Sequence, residues 1–110
     1  MAAISSRTEG WNNHTFSEVE THLKGRLGTI STASTSSNVQ SACSITGAAN
    51  DGKMEIIIYV NSGSSSDYTV TVPTTYKTST GGALELTCPK SGYCEVNYLN
   101  IGGTIYARGL

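Results

Sequence analysis

The two histidines, His14 and His22, are the first residues to test for chemistry. An imidazole works as a general base only beside a nucleophile it can deprotonate. His14 precedes a helix-like segment, where the positive end of the helix dipole disfavours a proton. His22 falls on the polar face of that segment, near Glu18. Serines are too abundant for proximity alone to name a nucleophile, and no Gly-x-Ser-x-Gly elbow, phosphate loop or His-Glu-x-x-His run occurs. Glu55, Glu85 and Glu95 lie on expected strands and point away from the apolar faces. A carboxylate pair across such strands reads the same as a solvated sheet face. The sequence therefore assigns no catalytic residue, and no enzyme is expected.

Three cysteines are an odd number. Cys88 and Cys94 flank Pro-Lys-Ser-Gly-Tyr and are candidates for a disulfide facing across a hairpin. The plainer reading is two small apolar residues, because the chain carries no export signal. The five-residue gap is not a usual zinc spacing, and no second Cys/His pair accompanies it. No metal and no cofactor is expected. Six tyrosines lie among the strands. Tyr59, Tyr93 and Tyr106 are expected on outer faces, either as a platform for carbohydrate or protein, or as cross-strand partners within the sheet.

The elements that would position these groups fall into three parts: an extended N-terminal arm (1–14), a short helix (15–28) and an antiparallel β-domain (29–110). Trp11 is the only tryptophan and sits between Gly10 and Asn12. It reads either as a lid over the domain's own core or as an anchor in a neighbour, since aromatics bury large area at low entropic cost. Thr15-Phe-Ser-Glu18 has the form of a capping box. Phe16, Val19, Leu23 and Leu27 follow at helical spacing in one narrow apolar stripe, and Gly28 suits the position just past a helix end. A helix of about 12 residues needs tertiary packing to persist. Such a stripe fits a core face or an interface.

From Thr29 the period becomes two. Thr29 to Ser37 reads as an edge strand or a loop. Val39, Cys43 and Ile45 alternate, with Ser41 breaking the apolar face. In Lys53 to Val60, Met54, Ile56, Ile58 and Val60 share one face, while Ile57 and Tyr59 make the other partly apolar. Both faces are candidates for cover. Tyr68, Val70 and Val72 align before Pro73, as do Leu84, Leu86 and Cys88. If Cys88 opposes Cys94, then Leu86 opposes Val96 and Leu84 opposes Tyr98 in an apolar hairpin ladder. Asn100-Ile-Gly-Gly103 reads as a last hairpin turn before Thr104 to Arg108. Six or seven such strands predict a mainly β fold, an antiparallel sandwich or small barrel.

Composition narrows the function classes. At 110 residues the chain is one domain at most. Charged residues are only 14%, and about 30 serines and threonines take their place. The net charge is −1 and no Lys/Arg run exists, so nucleic-acid binding through a basic patch is not expected. No stretch approaches the roughly 18 apolar residues of a membrane span. The N-terminal residues lack a basic and an apolar region, so no signal peptide is expected and the chain is expected to stay in the cell that makes it.

The segment Glu9-Gly-Trp11-Asn-Asn-His14-Thr-Phe-Ser-Glu18-Val-Glu20-Thr-His-Leu-Lys-Gly-Arg-Leu27 resembles a short signature of virion proteins of tailed phages infecting gut Bacteroidales, including crAss-like phages. There a Trp precedes a helix of the form E-V-E-x-φ-[IL]-K-x-x-[IL], where φ is apolar. This chain has Thr21-His22 where an apolar-rich pair is usual. Glu95-Val-Asn-Tyr-Leu-Asn-Ile-Gly-Gly-Thr-Ile-Tyr-Ala-Arg108 also resembles a terminal hairpin of such proteins. The two segments cover about 30% of the chain. The resemblance implies a non-enzymatic role in a capsid, head fibre or tail, in a protein made in the host cytoplasm and carried in the virion, and it carries over no catalytic residue. The expected partners are other virion proteins and further copies of the chain. Trp11, Phe16, Val19 and Leu23 form the expected docking element. The competing expectation is an adhesion module that binds carbohydrate or protein on an exposed sheet face.

Overall fold

A computed structural model of the protein describes residues 27–109, together with Thr15, Ser17 and Glu18. The fold is mainly β. A five-stranded sheet has the order β1-β3-β7-β8-β5, built from Leu27–Thr35 (β1), Met54–Asn61 (β3), Gly92–Ile101 (β7), Thr104–Gly109 (β8) and Lys77–Thr78 (β5). A three-stranded sheet has the order β2-β4-β6, built from Val39–Gln40 (β2), Tyr68–Val72 (β4) and Leu84–Cys88 (β6). The core lies between them. Val70, Val72 and Cys88 from the small sheet meet Ile57, Tyr59, Cys94, Val96, Tyr98, Ile105 and Ala107 from the large one. Burying β-branched and aromatic side chains between two pleated faces supplies the main stabilisation of such a sandwich.

The pairing is more mixed than an antiparallel reading allows. β1 with β3, β2 with β4 and β5 with β8 are parallel, while β3 with β7, β4 with β6 and β7 with β8 are antiparallel. A parallel neighbour requires a crossover between layers, and the chain supplies it. After β1 it passes through β2 in the other sheet before returning as β3.

The same alternation between sheets removes the expected Cys88–Cys94 hairpin. Leu86 pairs with Val70 and Cys88 with Tyr68 in the small sheet, whereas Val96 pairs with Ile57 and Cys94 with Tyr59 in the large one. The apolar residues of both strands do face each other, but across the sandwich rather than along a ladder. The β7–β8 hairpin is as expected. Ile101 pairs with Thr104, and Gly102 and Gly103 between them have φ of 62° and 90°. A two-residue turn of this hand needs both positive values, which glycine adopts without strain.

At the N-terminal side, the capping box forms. The Thr15 amide donates to Glu18 Oε1 at 2.9 Å, and the Glu18 amide donates to Thr15 Oγ1 at 3.2 Å. Trp11, Phe16, Val19 and Leu23 lie outside the described residues. Gly28 does not end a helix. It belongs to β1, which begins at Leu27 and shifts register between Leu27 and Thr29. A β-carbon at Gly28 would lie 2.8 Å from Ile45 Cγ2 and 2.9 Å from the Met54 carbonyl oxygen, so glycine is needed for close approach.

Candidate functional site

β3 decides which sheet face is core and which is surface. Its residues alternate, with Glu55, Ile57, Tyr59 and Asn61 buried and Met54, Ile56, Ile58 and Val60 on the other side. Two of the expected orientations are therefore corrected. Tyr59 is in the core, not on an outer face, and Glu55 points inward instead of away from the apolar interior. The physical reason is that the inward polar groups find partners there, so the face with fewer aliphatic carbons can still be the buried one.

Glu55 is held by a converging set of donors. The Ser44 amide donates to Oε1 at 2.8 Å, the Thr29 hydroxyl donates to Oε2 at 2.9 Å, and the Ser44 hydroxyl donates to Oε2 as well. Burial pushes this carboxyl up, but the donors from Ser44 and Thr29 outweigh it and hold it below the usual carboxylate value. A carboxylate so occupied is a structural anchor between β1, β3 and the loop at Ser44, not a base.

Ser41 is the second buried polar node. The Tyr59 hydroxyl donates to Ser41 Oγ at 2.8 Å and the Tyr98 hydroxyl at 2.5 Å. Tyr76 packs edge-on against Tyr98 with ring centroids 5.1 Å apart, and its hydroxyl accepts from the Cys43 amide at 2.9 Å. The residue that breaks the apolar alternation of 39–45 is thus the acceptor that lets two tyrosines be buried. Burial raises both Tyr59 and Tyr98 above the ordinary phenol value. Sequence reasoning passed over this cluster; the signal was a lone serine in an apolar period opposite strands rich in tyrosine.

The three cysteines are buried free thiols. Cys88 Sγ donates to the Tyr59 carbonyl at 3.2 Å, and Tyr59 is the strand partner of Cys94. The two sulfurs therefore approach from opposite sheets. Burial, followed by the neighbouring Cys88 thiol, pushes Cys94 up to about 12, and burial pushes Cys43 up to about 11. Thiols of that acidity are poor nucleophiles at neutral pH. Among the described residues, no group of three or more His, Cys, Asp or Glu could hold a metal ion, and no helix is long and apolar enough to cross a membrane.

What remains is the outer face of the large sheet. The register places Ile30 beside Ile56 on β1 and β3, Met54 beside Leu99 and Tyr106, and Val60 beside Tyr93. Ile30 is 60% exposed, Tyr93 63% and Tyr106 47%. Tyr93 and Tyr106 thus lie where the sequence places them. One hollow, at the Asn61 end of this face, is lined by Ile58, Val60 and Tyr93 together with the polar Asn61, Ser62, Ser91 and Glu95, and a second by Met54, Asn97, Leu99, Tyr106 and Arg108. These exposed apolar side chains share the face with Glu95, Asn97 and Arg108, and apolar side chains gathered on one exposed face are a candidate contact site. The outer side of the small sheet differs. It presents Thr69, Thr71, Glu85 and Thr87, the usual polar side of a half-buried sheet.

β1 adds a second feature. It is an edge strand of nine residues, Leu-Gly-Thr-Ile-Ser-Thr-Ala-Ser-Thr, with no charge and no proline. Native edges are usually blunted by those residues because bare amides and carbonyls pair with other chains. β5 covers β8 at Tyr106 and Ala107 through a parallel pairing of two residues.

Compared with known proteins, the chain matches no family model, no curated protein and no solved structure.

Proposed function

We propose that this chain is a non-enzymatic virion structural subunit, a capsid decoration or head-fibre protein that docks through its N-terminal arm and helix. The observation that carries this reading is the asymmetry of the sandwich. One side is a sheet face that exposes Ile30, Val60, Tyr93 and Tyr106 beside an uncharged edge strand, and residue 27, where the described β-domain begins, lies on that same edge. The opposite sheet turns hydroxyls and Glu85 outward. Attachment on the first side leaves the second free to face solvent. On this reading Trp11, Phe16, Val19 and Leu23 make the docking contacts. Many symmetric copies would turn weak individual contacts into firm attachment.

Co-sedimentation with tailed-phage capsids tests the reading. The full chain is expected to co-sediment, and Trp11→Ala to lower the bound fraction at least tenfold while leaving the β circular dichroism unchanged. Undiminished attachment of Trp11→Ala removes the arm from the interface. No attachment of the unsubstituted chain sinks the virion role.

A second reading has its own support. Tyr93 and Tyr106 are exposed aromatic rings on the apolar face, as a carbohydrate- or protein-binding adhesion module requires. Reproducible glycan-array hits lost in both Tyr93→Ala and Tyr106→Ala would favour it.

A further inference from the structure

The second hollow on the outer face of the large sheet offers more than apolar contact. We infer that the hollow of Met54, Asn97, Leu99, Tyr106 and Arg108 binds an acidic sugar, with its carboxylate on Arg108, a hydroxyl on Asn97 and its ring on Tyr106. The inference rests on the adhesion reading of this face, which it narrows to one class of ligand, and is independent of the virion reading.

β7 and β8 put the groups in place. Asn97 pairs with Arg108 and Leu99 with Tyr106, and paired residues share one side of a sheet. Alternation along β7 sends Val96 and Tyr98 into the core, so Asn97 and Leu99 face outward. Met54, the β3 partner of Leu99, closes the other side. Lys77 on β5 stands in register with Tyr106. Two cations therefore flank the tyrosine. The hollow measures about 230 Å³. Sites that enclose a whole small ligand run from roughly 300 to 1,000 Å³, so this one seats a single ring.

Three groups in the hollow lack a counterpart. Asn97 is only 7% exposed. Its Nδ2 donates to Glu95 Oε2 at 3.3 Å, while its Oδ1 has no hydrogen-bond partner. A buried amide oxygen left over is costly, and a ligand that donates to it recovers that cost. Arg108 is exposed, and among the described residues its guanidinium makes no ion pair. Its planar fork matches a carboxylate through two parallel hydrogen bonds. Tyr106 presents an exposed ring. The complement of one acceptor, one cation and one aromatic face is a ring that carries a hydroxyl, a carboxylate and a C–H surface.

An acidic peptide has some of the same chemistry, but the backbone here disfavours it. β7 lies between β3 and β8, and β5 covers β8 at Tyr106. Amides and carbonyls at the hollow are committed to neighbouring strands. A peptide laid on the face would leave its own backbone groups without partners, and extended peptides join sheets at open edges instead. A sugar needs only side chains.

Glucuronate and glucose, the same ring with and without a carboxylate, are the probes. Each is titrated into the full chain and followed by nuclear magnetic resonance. Glucuronate is expected to shift the Asn97 side-chain amide and the methyls of Met54 and Leu99, and to bind about tenfold more tightly than glucose, the usual scale of a hydrogen bond to a charged group. Arg108→Gln, at an exposed position, should abolish that difference. Tyr106→Ala should weaken both sugars severalfold. Equal binding of the two sugars, or selectivity unchanged in Arg108→Gln, overturns the proposal and leaves the adhesion reading standing. No shift of the Asn97, Met54 and Leu99 signals with either sugar also overturns it, while glycan-array hits that depend on Tyr93 alone would still keep the adhesion reading. Tighter binding of tetraglutamate than of glucuronate at the same signals overturns it in favour of an acidic peptide.

Discussion

Ser41 and Glu55 show how single polar side chains set the orientation of whole strands. Ser41 Oγ accepts two tyrosine hydroxyls inside the core. Ser41→Ala leaves both phenols buried without that acceptor, and an unsatisfied buried group costs about 1–3 kcal/mol. Chemical denaturation should show a loss of that size, with Tyr59→Phe in the same background recovering part of it. Glu55 makes a prediction about acid. Its folded carboxyl sits below the ordinary value of 4.5, so the native state binds fewer protons than the unfolded chain in that range. The stabilisation is complete above the unfolded value and is lost as pH falls through the folded one. Thermal melts of the wild type should therefore drop below about pH 4.5. Glu55→Gln should be less stable at neutral pH and much less sensitive to that drop. An equal acid dependence in both proteins would remove Glu55 from this role.

Elements in this fold are held by close approach at least as much as by propensity. Gly109, at the end of β8, lies under the β6 residue Leu86, where a β-carbon would fall 2.2 Å from Leu86 Cδ2. Overpacking of this kind costs about 1–3 kcal/mol. Gly109→Ala should lower the midpoint of denaturation, and Leu86→Ala placed with it should restore part of the loss by making room. Two turns are closed by buried asparagines. The Asn100 amide donates to the carbonyls of Ile45 and Gly47 at 2.8 and 2.9 Å, and its Oδ1 accepts from the Gly103 amide. Asn61 spans β3 and β6 in the same way, donating to the carbonyls of Ser66 and Cys88. These side chains replace strand hydrogen bonds where the chain leaves one sheet for the other.

For the whole molecule, the alkaline side of stability is set by the core. Cys43, Cys94, Tyr59 and Tyr98 all have folded values raised by burial. Their contribution is fully present below the unfolded values of 9.0 for thiols and 10.0 for phenols, and is lost as pH rises through the folded ones. Melting temperature should stay level up to about pH 9 and fall steadily above it. Cys94→Ala should flatten the first part of that fall. Assembly is the other property at this scale. If copies join through the β1 edge, light scattering of the full chain should show a dimer or larger species. Ile30→Lys should shift it toward monomer, because a charge on an edge strand opposes pairing. A monomer at all concentrations in both proteins would show that β1 does not pair with itself.

Local chemistry was legible in the sequence. The capping box of Thr15 and Glu18, the Gly102-Gly103 turn, and the alternation of Tyr68, Val70 and Val72 each depend on residues a few positions apart, so their types and spacing suffice. The mainly β character followed from the same short-range signals. What only the tertiary structure decided is which strands share a sheet and which face turns inward. Leu84, Leu86 and Cys88 would pair with Cys94, Val96 and Tyr98 as well along a ladder as across a sandwich, because apolar contact has no direction. On β3 the aliphatic count favoured Met54, Ile56, Ile58 and Val60, yet Glu55, Tyr59 and Asn61 turn inward. Their partners, Ser44, Ser41 and the Ser66 and Cys88 carbonyls, come from distant segments. A hydrogen bond between residues far apart in the chain leaves no period in the sequence, and here such bonds fixed the orientation.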